Sequence, residues 1–176
     1  MDDNVFARSG DEAPVLASPR AFNTILYGGL VVGLLDGLYA VVFNGLKGVS
    51  PVRVFQFVAS GLLGRASFSG GTRTALVGVL LHFVVAFIVA AVYYAVSLGL
   101  PMLIRRAILC GLLYGAMVYC VMNYLVLPLS AAPRLSFTFT EFVIGVIGHA
   151  LIVGLPVALI ARQSARRTSR DYRKPV

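Results

Sequence analysis

Four stretches of this chain, 24–46, 74–97, 106–127 and 141–161, are nearly unbroken runs of apolar residues. Each is close to the roughly 20 residues that carry a helix across the hydrocarbon core of a bilayer. A backbone in lipid must satisfy its hydrogen bonds within its own segment, so such runs fold as helices. Membrane strands would be about 10 residues long with alternating polarity, and no such alternation is present. The expected fold is all-α: an integral membrane four-helix bundle over residues 23–161. Composition agrees, with 59% hydrophobic and 12% charged residues, against about 25% charged in soluble domains. Too little polar surface exists to cover a water-soluble globule.

The segments outside these runs divide by charge. Residues 1–22 mix Asp2, Asp3, Asp11 and Glu12 with Arg8 and Arg20, punctuated by Gly10, Pro14 and Pro19. They read as a disordered cytoplasmic lead. They lack the basic n-region of a signal peptide, and the apolar run that follows is too long for an h-region. Residues 162–176 form a basic cytoplasmic tail, in which Arg162, Arg166, Arg167, Arg170, Arg173 and Lys174 are placed to contact lipid headgroups. Cations beside a span serve anionic lipid, so the formal net charge of +8 does not point to nucleic acid.

With four spans both termini share one side of the membrane. That side holds Arg8, Arg20, Arg105, Arg106 and the six tail cations, so ten; the other holds Lys47, Arg53, Arg65, Arg73 and Arg134, so five. The bias puts the termini in the cytoplasm and the chain in a cell inner, or plasma, membrane. Tyr27, Tyr93 and Tyr94 fall near the inner interface, and Tyr124, Phe137 and Phe139 near the outer one. Between the first two spans, Ser50-Pro51 is a helix start with a serine cap and proline in the first turn. The apolar run at 54–64 is too short to cross and carries Gln56, so it is an interfacial or re-entrant helix.

Small residues set the expected packing. Gly29, Gly33 and Gly37 recur every four residues in the first span, as do Ala107, Gly111 and Gly115 in the third. Such stripes let backbones approach closely in lipid, within one bundle or between two copies in a homo-oligomer. Pro156 should kink the fourth helix. Cys110 and Cys120 sit ten residues apart in one helical run, about 15 Å along the axis, too far for a disulfide.

Three titratable side chains lie deep in the spans: Asp36, His82 and His149. Ionisable groups in a membrane interior turn toward the bundle and take partners, and they mark functional sites by default. Three readings stay open. The cluster handles protons or ions in a small transporter or channel component; or it is a polar lock, with Asp36 accepting from a histidine or Tyr39; or the histidines flank a haem. Asn44, Asn123 and Glu141 stand near the outer helix ends, where they line a vestibule or meet interfacial water. Thr138 and Glu141 also fit a capping box. No nucleophile elbow, HExxH, P-loop, GxGxxG or CxxCH pattern occurs, so neither an enzyme nor a bound cofactor is expected.

His82-Phe83 and Tyr93-Tyr94 in the second span, Gly111 and Gly115 before Leu127-Pro128 in the third, and Glu141 before Gly148-His149 in the fourth carry a resemblance. Over roughly residues 74–165 the chain resembles the small bacterial inner-membrane proteins of the YagU type. That resemblance implies an inner-membrane location and a link to acid stress.

Overall fold

A computed structural model describes residues 18–134 and 138–171, with side chains to residue 169. Four helices in it are long and apolar enough to cross a membrane: Ala21–Gly45, Gly71–Gly99, Ala107–Leu129 and Phe139–Ser169. They are all-α, with no strand among the described residues, and the chain is a multi-pass membrane protein. Leu34, Leu80, Leu113 and Ile147, one from each span, are exposed on the outside of the bundle, as a lipid-facing surface requires.

The first span, α1 (Ala21–Gly45), ends in a turn at Gly48, where φ is 81°. Ser50 then accepts from the Arg53 amide and Pro51 opens α2 (Pro51–Leu63). A 3-10 turn, Gly64–Ser69, leads into α3 (Gly71–Gly99). A short α4 (Met102–Arg105) precedes α5 (Ala107–Val121). The third span continues through a π turn, Met122–Val126, to α6 (Leu127–Leu129). The fourth is α7 (Phe139–His149), a second π turn at Ala150–Gly154, and α8 (Leu155–Asp171). The lead at 1–22 lies outside the described residues except for its last five, and α1 already begins at Ala21. The fourth helix outruns its expected end at 161, so Arg162, Arg166 and Arg167 are helical. The side chain of Arg170, together with Arg173, Lys174 and Phe137, lies outside the described residues.

Both π turns stand just before a proline, at Pro128 and Pro156. Proline brings no amide and its ring collides with the carbonyl four residues back. The wider turn absorbs that collision where a bare kink at Pro156 was expected. It also moves the inward face by one position. Gly145 and Gly148 are buried before the turn, Val153 and Gly154 within it, and Val157, Ala158 and Ala161 after it.

Glycines decide the contacts. Gly29, Gly33 and Gly37 are buried against Phe87, Phe83 and His82 of α3. The stripe is therefore occupied by α3 within one chain. Gly78 sits against the Phe55 carbonyl, so α2 lies on the backbone of α3. Gly111 and Gly115 meet the backbone of the fourth span around Gly154 and His149. Tyr93 is fully buried, at the end of α3 that meets the α4 connection. Its hydroxyl donates to the Leu103 carbonyl at 3.0 Å, and its ring meets Tyr114 edge-on. Tyr114 in turn donates to the Val89 carbonyl at 2.7 Å. These bonds pin α3 to α4 and α5 at the termini end of the bundle. Tyr27, Tyr124 and Phe139 are exposed.

Gly154→Ala should be severely destabilising. A methyl there would overlap the Gly111 carbonyl and the Gly115 amide, which are backbone and cannot swing aside. Overpacking of this kind costs about 1–3 kcal/mol and at times more. Gly45→Ala meets nothing within 4 Å and should be neutral or stabilising by up to about 1 kcal/mol. Reversible unfolding in detergent micelles reads both, and equal effects would refute the close crossing.

Candidate functional site

Asp36 stands on α1 three and four positions after the buried Gly33 and Val32, so it shares the inward side of that helix. His149 ends α7, immediately before the π turn. The two helices bring His149 Nε2 to 3.8 Å from Asp36 Oδ1, with the side chains 19% and 23% exposed. That is an ion-pair distance, but beyond a hydrogen bond.

The other ring nitrogen tells which atom can carry a proton. His149 Nδ1 lies 3.0 Å from the Gly145 carbonyl, and a carbonyl only accepts, so Nδ1 bears hydrogen. Nε2 is then the lone-pair nitrogen of the neutral ring, and it faces the carboxylate. With no proton between them two lone-pair faces oppose each other. With one proton bound, the pair is a salt bridge or a neutral acid beside a neutral base. Among the described residues no hydroxyl or amide donates to Asp36. Tyr39 donates to the Ile144 carbonyl at 3.3 Å instead, while its ring covers Gly148.

His82 does not join this pair. Its Nε2 donates to the Gly33 carbonyl of α1 at 2.8 Å, and its ring sits edge-on to Phe55 and Phe83. It is an interhelical tie, packed over Gly37. The three residues nonetheless share a wall. A cavity of about 420 Å³ between α3 and the third span is bordered by Asp36, His82 and His149, with otherwise mainly aliphatic neighbours.

A second cavity, of about 610 Å³, lies between α1, the third span and α7, with α2 across it. It too is bordered by Asp36 and His149, and it holds Asn44, Asn123 and Glu141. Both asparagines donate to carbonyls of their own helices, Asn44 to Ala40 and Asn123 to Tyr119. Glu141 completes the capping box with Thr138 and also pairs with Lys47, tying the end of α1 to the start of α7. Asp36, Ala40, Phe57, Leu127 and His149 border both cavities.

Sequence reasoning missed several neighbours. Tyr119 meets the His149 ring edge-on, with centroids 5.1 Å apart, and packs over Gly145. Phe57 reaches the site from α2, and Lys47 was counted only as a loop charge. The spacing of Tyr119 from Gly115, four residues along one helix face, was the available signal for the first. None existed for Phe57, whose position depends on how α2 lies on the bundle. Among the described residues no three His, Cys, Asp or Glu side chains converge as a metal site. Cys110 and Cys120 are free thiols. The chain matches no family model, and it has no significant match among curated proteins or solved structures.

His82→Leu should remove one interhelical hydrogen bond and little else. Such bonds in membranes average about 0.6 kcal/mol, so unfolding should become easier by about 1 kcal/mol or less. A loss above about 3 kcal/mol, the scale of breaking a buried ion pair, would put His82 inside the Asp36 network instead.

Proposed function

We propose that the protein is a small proton-linked transporter or channel component, in which Asp36 and His149 together hold one exchangeable proton. The observation that carries this reading is the opposed pair itself: a carboxylate facing a ring nitrogen whose partner nitrogen is already committed to a carbonyl. A carboxylate and an imidazole facing each other inside a membrane are the chemistry a proton-linked carrier needs. The pair's access supports the reading, since it borders both cavities at the α2 end of the bundle. The polar mouth formed by Lys47, Asn44, Asn123 and Glu141 suits a hydrated ion or small polar solute better than an oily one.

The polar-lock reading asks Asp36 to accept a close hydrogen bond from Tyr39 or a histidine. Tyr39 is turned to Ile144, and the histidine is too distant. The location belongs to the same proposal. The cation bias puts the termini end, with Arg20, Arg105, Arg106, Arg162, Arg166 and Arg167, on the cytoplasmic side of an inner or plasma membrane. The end carrying α2 and the larger cavity then faces outward.

Asp36→Asn tests the function. In liposomes with an imposed pH gradient and a potassium shunt, the wild-type protein should dissipate the gradient faster than protein-free vesicles. Asp36→Asn should lower that flux about tenfold or more, as removal of an intramembrane proton carrier does. His149→Gln should act in the same direction, so the result does not depend on one variant folding. If wild-type flux equals that of empty vesicles while both variants merely unfold more easily, the pair is a lock and the transport reading fails.

A further inference from the structure

At the opposite end of the bundle a second constellation has no part in the proton pair. Arg105 at the end of α4, Arg106 at the junction and Arg162 in α8 border one open hollow of about 350 Å³, whose wall is completed by Ile108, Leu109 and Leu112. We infer that this hollow seats the phosphate of an anionic glycerophospholipid, with an acyl chain lying along the apolar wall.

Three observations converge on a bound anion. Guanidinium groups gathered at one place repel unless a counter-charge lies between them. The described carboxylate side chains are Asp36 and Glu141, facing His149 and Lys47, so none of them serves this cluster. Arg162 Nε is buried and has no hydrogen-bond partner among the described residues. A buried donor left unsatisfied is a standing cost, which a turn of the guanidinium toward an anion in the hollow would relieve. The hollow also opens on the first turn of α5, fifteen residues long, whose N-cap is Arg106 and which no side chain caps. The first amides of a helix have no partner within it, and they favour phosphate.

The wall chooses between lipid and a free phosphate. Ile108 and Leu109 are 57% and 53% exposed, on a span surface that faces lipid. A soluble phosphate gains nothing from that surface, whereas an acyl chain covers it. The depth agrees, because α4 lies in the connection between two spans and Arg162 follows the last apolar stretch of the fourth. This is narrower than a general attraction of cations for anionic membrane. Arg166 and Arg167 are exposed on the same helix but do not border the hollow, so they supply a charge-matched control.

Native mass spectrometry of the purified chain in non-ionic detergent is the test, with phosphatidylglycerol and phosphatidylcholine of identical chains as probes. Phosphatidylglycerol should bind about tenfold tighter, the scale of one charge-assisted hydrogen bond. The Arg105→Gln/Arg106→Gln pair and Arg162→Gln should each lose about tenfold, while Arg166→Gln/Arg167→Gln changes binding less than about twofold. Arg162→Lys keeps the charge but loses Nε–H and the planar fork, and should still bind several-fold more weakly. It gives the reading if Arg162→Gln does not fold. Equal losses in the Arg166/Arg167 pair would overturn the site in favour of a diffuse field. Displacement of the lipid by millimolar inorganic phosphate, with the same dependence on Arg162, would overturn the lipid and leave a soluble phosphate ligand.

Discussion

The contact of the third span with the fourth, backbone against backbone, holds the rest of this molecule in place. Gly111 and Gly115 on one side and Gly154 on the other leave no room for a methyl group. In lipid no hydrophobic force drives helices together, so close packing and interhelical hydrogen bonds must do so. The crossing lies in the π turn that precedes Pro156. That turn presents Gly145 and Gly148 inward on one side of it and Val157, Ala158 and Ala161 on the other. His149 sits at the break, where its ring meets Tyr119 and its Nε2 faces Asp36. The defect that proline imposes on the helix is thus also what aims the imidazole.

The two ends of the bundle are built differently. At the termini end tyrosine hydroxyls seal the core: Tyr93 to Leu103 and Tyr114 to Val89, with the Arg20 amide donating to Ser164 at 2.8 Å. Toward the other end α3 and the third span have a cavity between them, and α2 lies across the opening. The amide of Ala131 donates to the Gly61 carbonyl at 3.0 Å, and Gln56 donates to the Gly71 carbonyl. These two bonds fasten α2 to the loops at that end. A closed floor and a covered, partly polar mouth are consistent with a site reached from one end.

Much of the site was legible as a list of residues, and little of it as a geometry. Asp36 and His149 stood out because charge inside an apolar run demands a partner. Their pairing was not readable, since His82 offered the same chemistry at comparable depth. The structure separates the histidines by what their second nitrogen does: one ties α1 to α3 at Gly33, the other anchors on its own helix and leaves its free edge to Asp36. Glu141 shows the reverse case. The capping box was visible in four residues of sequence, whereas its pairing with Lys47 joins segments 94 positions apart.

The sequence by itself determined what is local: four spans from run length, the start of α2 from Ser50-Pro51, and the cap at Thr138 from its spacing to Glu141. Each follows from backbone hydrogen bonding within a few residues, or from the thickness of a bilayer. The tertiary structure decided what depends on rotation about helix axes. The glycine stripe of α1 meets α3, the fourth helix shifts its inward face by one position, and one histidine of two meets the aspartate. Helical periodicity assumes a constant turn, and a single wide turn before a proline breaks that assumption. From there on, only packing against neighbours selects which side chains meet.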